Sequence, residues 1–319
     1  MELRSLGKTD LKIVPLVLGG NVFGWTIDEA QSFAVLDAFV DRGFNCIDTA
    51  DVYSAWKPGN KGGESEEILG KWLKQGGKRD KIVLLTKVGM KMPDVGEGLS
   101  KQYILSEVEE SLKRLQTDTI DLYQSHKDDP TTPLDETLEA YQQLIAQGKV
   151  RFIGASNYSG ERLREAEKVS AEKKLPAYAT LQPEYNLIDR EAYEKDLAPV
   201  LAELGLGSIV YFSLASGFLT GKYQTLEDTK GKGRGSRVEK YFNTPNDRGM
   251  KVLAALKQVS AETGAQQASI ALAWLLAQPT VIAPIASATS PQQLEALFAA
   301  VQLKLSEEQV KTLTDASAY

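Results

Sequence analysis

"KIVLLTKVG", residues 81–89, decides the fold class of this chain. Its apolar residues are consecutive rather than alternate, and the run closes on a lysine and a glycine. A strand of that pattern is buried on both faces, as in parallel sheets covered by helices. Seven other runs share it: "IVPLVLGG" (13–20), "FNCIDTA" (44–50), "TIDLYQSH" (119–126), "VRFIGASN" (150–157), "YATLQPEYN" (178–186), "GSIVYFSL" (207–214) and "TVIAPIAS" (280–287). Helical spacing fills the intervals. Ile104, Val108, Leu112 and Leu115 recur at steps of one turn, as do Leu134, Leu138, Tyr141 and Ile145. Ser290 before Pro291 predicts a helix start, and the glycine of "QGK" (147–149) a stop.

Eight strand–helix units with no linker-like stretch predict an α/β chain forming one (β/α)8 TIM barrel over residues 1–319. A doubly wound open sheet is the competing architecture. "LRSLGKTDLKIV" (3–14) predicts an N-terminal β-hairpin across the barrel floor, and the residues after the eighth run predict a C-terminal helical extension. The polar stretch 222–247 is too long for a plain connection, so it is either a functional loop or disordered.

Composition excludes several functions. Hydrophobic residues make up 42% and charged residues 25%, with a net charge of −6 scattered along the chain. That surface repels nucleic acid, and no basic stripe offsets it. No apolar run is long enough for a membrane span, and the N-terminus lacks the apolar core of a secretory signal. Cys46 and His126 are the single cysteine and the single histidine, so no disulfide and no zinc motif can be written and no metal is expected. The expected address is the cytoplasm. "GASNY" (154–158) ends in Tyr158 where a serine-hydrolase elbow needs glycine.

Chemistry in such a barrel sits at the carboxyl ends of the strands. Asp48 and Tyr53 follow the second run, Lys87 ends the third and His126 the fourth. Ser156 and Asn157 end the fifth, Gln182 lies in the sixth and Tyr211 in the seventh. Each alone has a plainer reading, such as a capped turn or a solvated strand end; together they assemble an acid, a proton donor, a cation and an orienting group. A tyrosine at about pKa 10 is a poor acid at neutral pH, and a nearby ammonium lowers that value. Asp48 can hold Lys87 charged, while His126 can orient a carbonyl toward Tyr53. That set suits protonation of an oxygen becoming an alkoxide.

With these residues the chain resembles the aldo-keto reductase family, in its bacterial NAD(P)H-dependent branch. The resemblance rests on "GFNCIDTADVYS" (43–54), "LLTKVG" (84–89), "DLYQSH" (121–126), "GKVRFIGASNYS" (148–159), "LQPEYN" (181–186) and "FLTGKY" (218–223), in order along the whole chain. It implies a TIM barrel reducing aldehydes or ketones with a nicotinamide cofactor and no metal. The family's catalytic tetrad falls on Asp48, Tyr53, Lys87 and His126, with Tyr53 as proton donor. Its nicotinamide contacts fall on Ser156, Asn157, Gln182 and the stacking ring of Tyr211. Leu214, Gly217, Leu219, Gly221 and Lys222, in the segment 214–222, are implied to line the pyrophosphate, with Phe212 and Ser213 as cofactor contacts beside it. The 222–247 stretch then becomes a mobile loop over the cofactor, with Arg234 and Arg237 offered to phosphate. Its "GKGRG" (231–235) follows no strand and is no Rossmann motif.

The sequence departs from the family where the adenosine 2′-phosphate is usually recognised. "PIASATSPQQLEALFAA" (284–300) supplies Ser287, Thr289, Ser290 and Gln293 but no cation. The start of the helix at Pro291 remains an anion site. NADP(H) is therefore the expected cofactor, its preference weakened, with NAD(H) as the alternative. In the seventh run "YFSL" places Phe212 where the family carries a small residue. Trp25, Phe23 and Trp56 are the expected substrate contacts, and the partner is a small-molecule carbonyl compound, with oligomeric state left open. Two alternatives share these residues: a cofactor-binding sensor barrel such as a channel-associated subunit, and a sugar or polyol dehydrogenase working toward oxidation.

Overall fold

The computed structural model describes residues 2–233 and 235–319. Two short antiparallel strands, β1 (Arg4–Ser5) and β2 (Lys12–Ile13), form the hairpin. The remaining strands are β3 (Val17–Gly19), β4 (Cys46–Asp48), β5 (Val83–Val88), β6 (Ile120–Ser125), β7 (Val150–Ser156), β8 (Thr180–Gln182), β9 (Gly207–Val210) and β10 (Val281–Ala286). They close into one parallel barrel in chain order, β10 pairing with β3. Each lies inside one of the eight apolar runs. The helices are α1 (Glu29–Asp41), α2 (Glu64–Leu73), α3 (Lys101–Leu115), α4 (Leu134–Ala146), α5 (Gly160–Lys173), α6 (Ala198–Leu204), α7 (Gly235–Glu239), α8 (Arg248–Thr263), α9 (Gln267–Leu276), α10 (Pro291–Gln302) and α11 (Glu307–Ala316).

The strands read as continuous apolar runs because both faces are covered. Residues 83–88 and 120–125 are buried at every position. One face points outward to the helix ring, where Ile104, Val108, Leu112 and Leu115 of α3 are buried. The other packs the barrel interior, where Val17, Cys46, Leu85, Leu122, Ile209 and Ala283 meet Leu6, Leu11 and Ile13 of the hairpin. The hairpin thus plugs the floor. On α4 the buried stripe is Leu134, Leu138, Tyr141 and Leu144, while Ile145 lies at its half-exposed edge.

Chain punctuation follows the sequence. Ser290 is the N-cap of α10 with Pro291 as its first residue. Gly148 (φ 71°) follows the end of α4 in the left-handed conformation that glycine adopts without strain. The C-terminal extension, α11, is held by Arg190, whose Nη1 donates to the Thr314 carbonyl at 2.8 Å and to Ser317 Oγ at 2.6 Å.

The described residues of the 222–247 stretch, read from the sequence as a functional loop or a disordered one, form short turns. They contain 3-10 turns at Leu226–Thr229, Lys240–Asn243 and Pro245–Asp247, with the five-residue α7 between them. Pieces this short carry no readable hydrophobic period.

Candidate active site

The carboxyl ends of the barrel strands surround a cavity of about 1170 Å³. Asp48 ends β4 and Lys87 lies one residue before the end of β5, opposite Gln124 in the ladder. The His126 N–H donates to the Val88 carbonyl at 2.8 Å, so β6 runs one further residue beside β5 and delivers the imidazole to the rim. Tyr53 reaches the same place from the loop after β4.

Lys87 Nζ is fully buried and donates to Asp48 Oδ2 at 2.6 Å, to the Thr49 carbonyl at 2.9 Å and to Tyr53 Oη at 2.8 Å. An ammonium has three protons, and these three acceptors use them all. Tyr53 Oη donates weakly to Asp48 Oδ2 at 3.3 Å. The other Asp48 oxygen accepts from Gln182 Nε2 at 2.9 Å and Gln124 Nε2 at 3.3 Å. A buried carboxylate is tolerated when paired and hydrogen-bonded in this way.

The electrostatics correct one expectation. Burial pushes the Tyr53 phenol well above its ordinary value, and the Asp48 carboxylate adds to the rise. The net direction is therefore up, not down, and the phenol keeps its proton. Burial lowers the Lys87 ammonium, against the pull of Asp48. His126 lies well below the usual histidine range because burial, then Lys87 and Lys127, disfavour its cation. Its imidazole is neutral. Nδ1 is buried without a partner among the described residues, and Nε2 is the nitrogen with access to the cavity. A bare buried acceptor costs less than an orphaned N–H, which puts the single proton on Nε2.

Next along the cavity, Ser156 Oγ donates to the Gln182 carbonyl at 2.8 Å, and Asn157 Nδ2 to the His126 carbonyl at 2.8 Å. Tyr211 Oη donates to Asn157 Oδ1 at 2.7 Å, fixing the tyrosine ring against the wall. Phe212, Ser213, Leu214, Gly217, Lys222 and Arg237 continue that wall. Ser287, Thr289 and Gln293 close the far end. There Gln293 Oε1 accepts from Thr289 N at 2.9 Å and Thr289 Oγ1 at 3.2 Å, and Ser287 Oγ donates to Asn21 Oδ1. Those two hydroxyl protons are spent inside the protein; among the described residues the Gln293 amide N–H groups and the Ser290 hydroxyl, which makes no side-chain cap, are left as donors.

Four sequence-derived candidates do not line the cavity: Lys87, which lies fully buried behind Asp48 and Tyr53, and three others. Phe23 is fully buried in the core beneath the rim, and its carbonyl accepts from Ser54 Oγ at 2.6 Å. Leu219 is also wholly in the core. At Gly221 (φ 75°) a Cβ would lie 2.2 Å from Gln267 Oε1, so glycine serves the turn and its contact with α9 there. Arg234 lies outside the described residues. Trp25 and Trp56 do form the mouth, their rings edge-to-face at 5.8 Å, with Trp56 45% exposed.

Sequence reading passed over Gln124, Asn21 and Lys232, of which the last two line the cavity. It also passed over a buried ion cluster beside β5, where Arg114 bridges Glu66 Oε2 at 2.7 Å and Glu107 Oε1 at 2.6 Å. Glu66 Oε1 in turn accepts from Thr86 beside Lys87, at 2.6 Å. Glu66 and Glu107 both fall on apolar helix faces, beside Leu69 and Ile104, which was the available signal.

A cavity this size exceeds the 300–1,000 Å³ usual for a small-ligand site. It runs from a tyrosine–lysine–carboxylate group, past amide side chains and an aromatic ring, to a wall carrying Lys232 and Arg237. Among the described residues no cluster of His, Cys, Asp and Glu is set to hold a metal ion, and no helix is long and apolar enough to cross a membrane.

Fold and site together define a TIM-barrel oxidoreductase of the kind that works on carbonyl or alcohol groups with a nicotinamide cofactor. The model of the aldo/keto reductase family matches residues 15–318, and the chain belongs to that family. It is 37% identical to "Uncharacterized oxidoreductase YrpG" of Bacillus subtilis, over 99% of this chain and 95% of that one. It is 33% identical to a "Putative voltage-gated potassium channel subunit beta" of Schizosaccharomyces pombe, over 99% and 93%. It is 32% identical to "L-glyceraldehyde 3-phosphate reductase" of Escherichia coli O157:H7, over 92% and 86%.

Proposed function

We propose that the chain is a carbonyl reductase, converting aldehydes or ketones to alcohols with NADP(H), and that Tyr53 is its proton donor. The observation carrying this reading is the pair of contacts Tyr53 Oη–Lys87 Nζ at 2.8 Å and Lys87 Nζ–Asp48 Oδ2 at 2.6 Å at the cavity wall beside His126. The bound cofactor supplies hydride to the carbonyl carbon.

The protein's own groups manage the oxygen. His126 Nε2–H donates to the carbonyl oxygen and holds it toward Tyr53. Tyr53 gives up its 3.3 Å bond to Asp48 at little cost and turns its proton to that oxygen. An alkoxide is far more basic than a phenolate, so a phenol held above its usual pKa still delivers the proton. Lys87 then stabilises the phenolate, and Asp48, fixed by Gln182 and Gln124, keeps Lys87 in place. Trp25 and Trp56 shape an apolar mouth for the substrate.

Ser156, Asn157, Gln182 and Tyr211 would hold the nicotinamide end; Phe212 to Leu214, Gly217 and Lys222 the middle; and Arg237, Ser287, Thr289 and Gln293 the adenosine end. Asp48 is the single carboxylate among the described residues of the wall, whereas Lys232 and Arg237 are cations on it. That charge balance favours the extra phosphate of NADP(H) and offsets the missing cation after β10.

An activity screen of aldehydes, ketones and sugars with NADPH and NADH tests the reading, with Tyr53→Phe as the control. We expect the variant to lose at least about a hundredfold in turnover and to bind cofactor normally. Normal turnover removes Tyr53 as the acid, and tighter binding of NADH than of NADPH removes the cofactor assignment. The likeness to channel β subunits supports a second reading, a cofactor-sensing barrel. Tight cofactor binding with sluggish turnover of every carbonyl tried would favour it.

A further inference from the structure

Beyond Tyr211 the chain passes through a run of left-handed residues: Phe212 (φ 50°), Ala215 (φ 48°), Ser216 (φ 57°) and Gly217 (φ 99°). In this conformation Cβ crowds the following carbonyl, so residues with side chains adopt it only when their surroundings hold them there. Two donors meet the Phe212 carbonyl: Ala215 N at 2.7 Å and Asn186 Nδ2 at 3.2 Å.

Asn186 is fully buried and uses its whole amide. Its Oδ1 accepts from Ile188 N at 2.8 Å and Asp189 N at 3.0 Å. Its Nδ2 also donates to Asp189 Oδ2 at 3.1 Å. The same Asp189 oxygen accepts from Tyr241 Oη at 2.7 Å, and Lys240 Nζ lies 3.5 Å from the other. Lys240 and Tyr241 begin the turn that directly follows α7, the helix placing Arg237 on the cavity wall. The buried Tyr241 ring packs on Phe218, at the end of the strained run, with centroids 5.3 Å apart. One continuous set of hydrogen bonds therefore joins two walls of the cavity that are remote in sequence.

We propose that Asn186 and Asp189 are positioning residues that set the Phe212 turn and the seat of the Arg237 helix together, and so govern how long a nicotinamide dinucleotide stays bound. The inference rests on the functional reading above but concerns residues that touch neither reacting group. With the Tyr241–Asp189 bond gone, the segment after α7 loses its shortest hydrogen bond to Asp189 and keeps the Lys240 ion pair and the packing on Phe218.

The test is a release measurement. Protein loaded with NADPH is chased with excess NADP+, and loss of tryptophan-to-nicotinamide energy transfer is followed in time. Tyr241→Phe removes one hydroxyl and leaves the ring packed. Its expected release is roughly tenfold faster, the worth of a lost hydrogen bond to a charged acceptor. KM for cofactor rises while KM for the carbonyl compound stays within about twofold. Asn186→Asp, which removes the donor to Phe212 and sets a carboxylate against Asp189, moves release the same way; if it fails to fold, Tyr241→Phe decides alone. Release from Tyr241→Phe at the wild-type rate overturns the inference. So does an equal rise in both KM values, the mark of general loosening. Faster release from a chain that binds NADPH yet reduces nothing upholds the inference and overturns the reductase reading. A wild-type chain that binds neither dinucleotide overturns both.

Discussion

Gln182 Nε2 and Asp48 Oδ1 are joined by a 2.9 Å hydrogen bond across the barrel, from the end of β8 to the end of β4. One side chain belongs to the proposed nicotinamide contacts and the other to the proton-transfer group, so the two functions share a strut. Gln182→Leu should weaken cofactor binding and turnover together, each by roughly tenfold, since a hydrogen bond to a charged group is worth about 1.5–3 kcal/mol. The double variant Gln182→Leu/Asp48→Asn should lose less than the sum of the two, with a coupling of about 1 kcal/mol. Strict additivity in turnover would show the strut to be idle.

The pH profile follows from the direction of two shifts. The Tyr53 phenol is raised above its ordinary value, so its proton is present throughout the neutral range and reduction should be flat from about pH 6 to 9. Oxidation of the alcohol needs the phenolate, whose fraction grows about tenfold per pH unit below the pKa, so the reverse rate should climb with alkalinity. His126 is depressed and stays neutral, so neither profile should bend near pH 6.5. Initial rates in both directions across pH check this; a fall in reduction centred near neutrality would contradict it.

Removing one member of the buried ion pair should cost stability as well as activity. Lys87→Met leaves Asp48 in the interior without its cation, at about 3–5 kcal/mol. Lys87→Met/Asp48→Asn removes the stranded charge and should recover most of that loss. Denaturant unfolding of the three proteins measures it, and a double variant no more stable than Lys87→Met would refute the account.

Outside the cavity lining, Asp129 ties the loop after β6 to the start of α3. It accepts from Leu99 N at 2.8 Å, from both the N–H and hydroxyl of Thr131, and from Thr132 Oγ1 at 2.8 Å. After the cost of burial, these bonds hold its pKa down at about 2. A depressed folded-state pKa gives stability that is present above the unfolded value near 3.9 and lost as pH falls through about 2. Asp129→Asn should therefore cost about 2 kcal/mol at neutral pH, and the gap from wild type should narrow below about pH 4. A gap independent of pH would exclude the charge as its source.

The barrel was legible because burial on both faces leaves an unbroken apolar run, and all eight strands lie within such runs. The polar groups at strand ends were legible for a related reason: Asp48, Lys87 and His126 each interrupt an apolar run where a parallel barrel opens its working rim. Gln124 escaped because it sits within a strand, where Tyr123 and Ser125 on either side face the helices and only Gln124 turns inward to Asp48. Phe23 was misjudged because position after a strand says nothing about direction; its ring turns into the core while Trp25, two residues on, reaches the mouth. The acid strength of Tyr53 was misjudged because spacing revealed the nearby lysine but not the burial, which dominates.

The packed interior, capped at its floor by the hairpin, gives the barrel a cup rather than a pipe. Leu6, Leu11 and Ile13 seal the floor, so everything that enters must leave by the mouth through which it came. Whatever lies deepest enters first and departs last, and a compound lodged at Trp25 and Trp56 delays the exit of anything beneath it. A barrel closed from within thereby imposes an order of traffic on its rim.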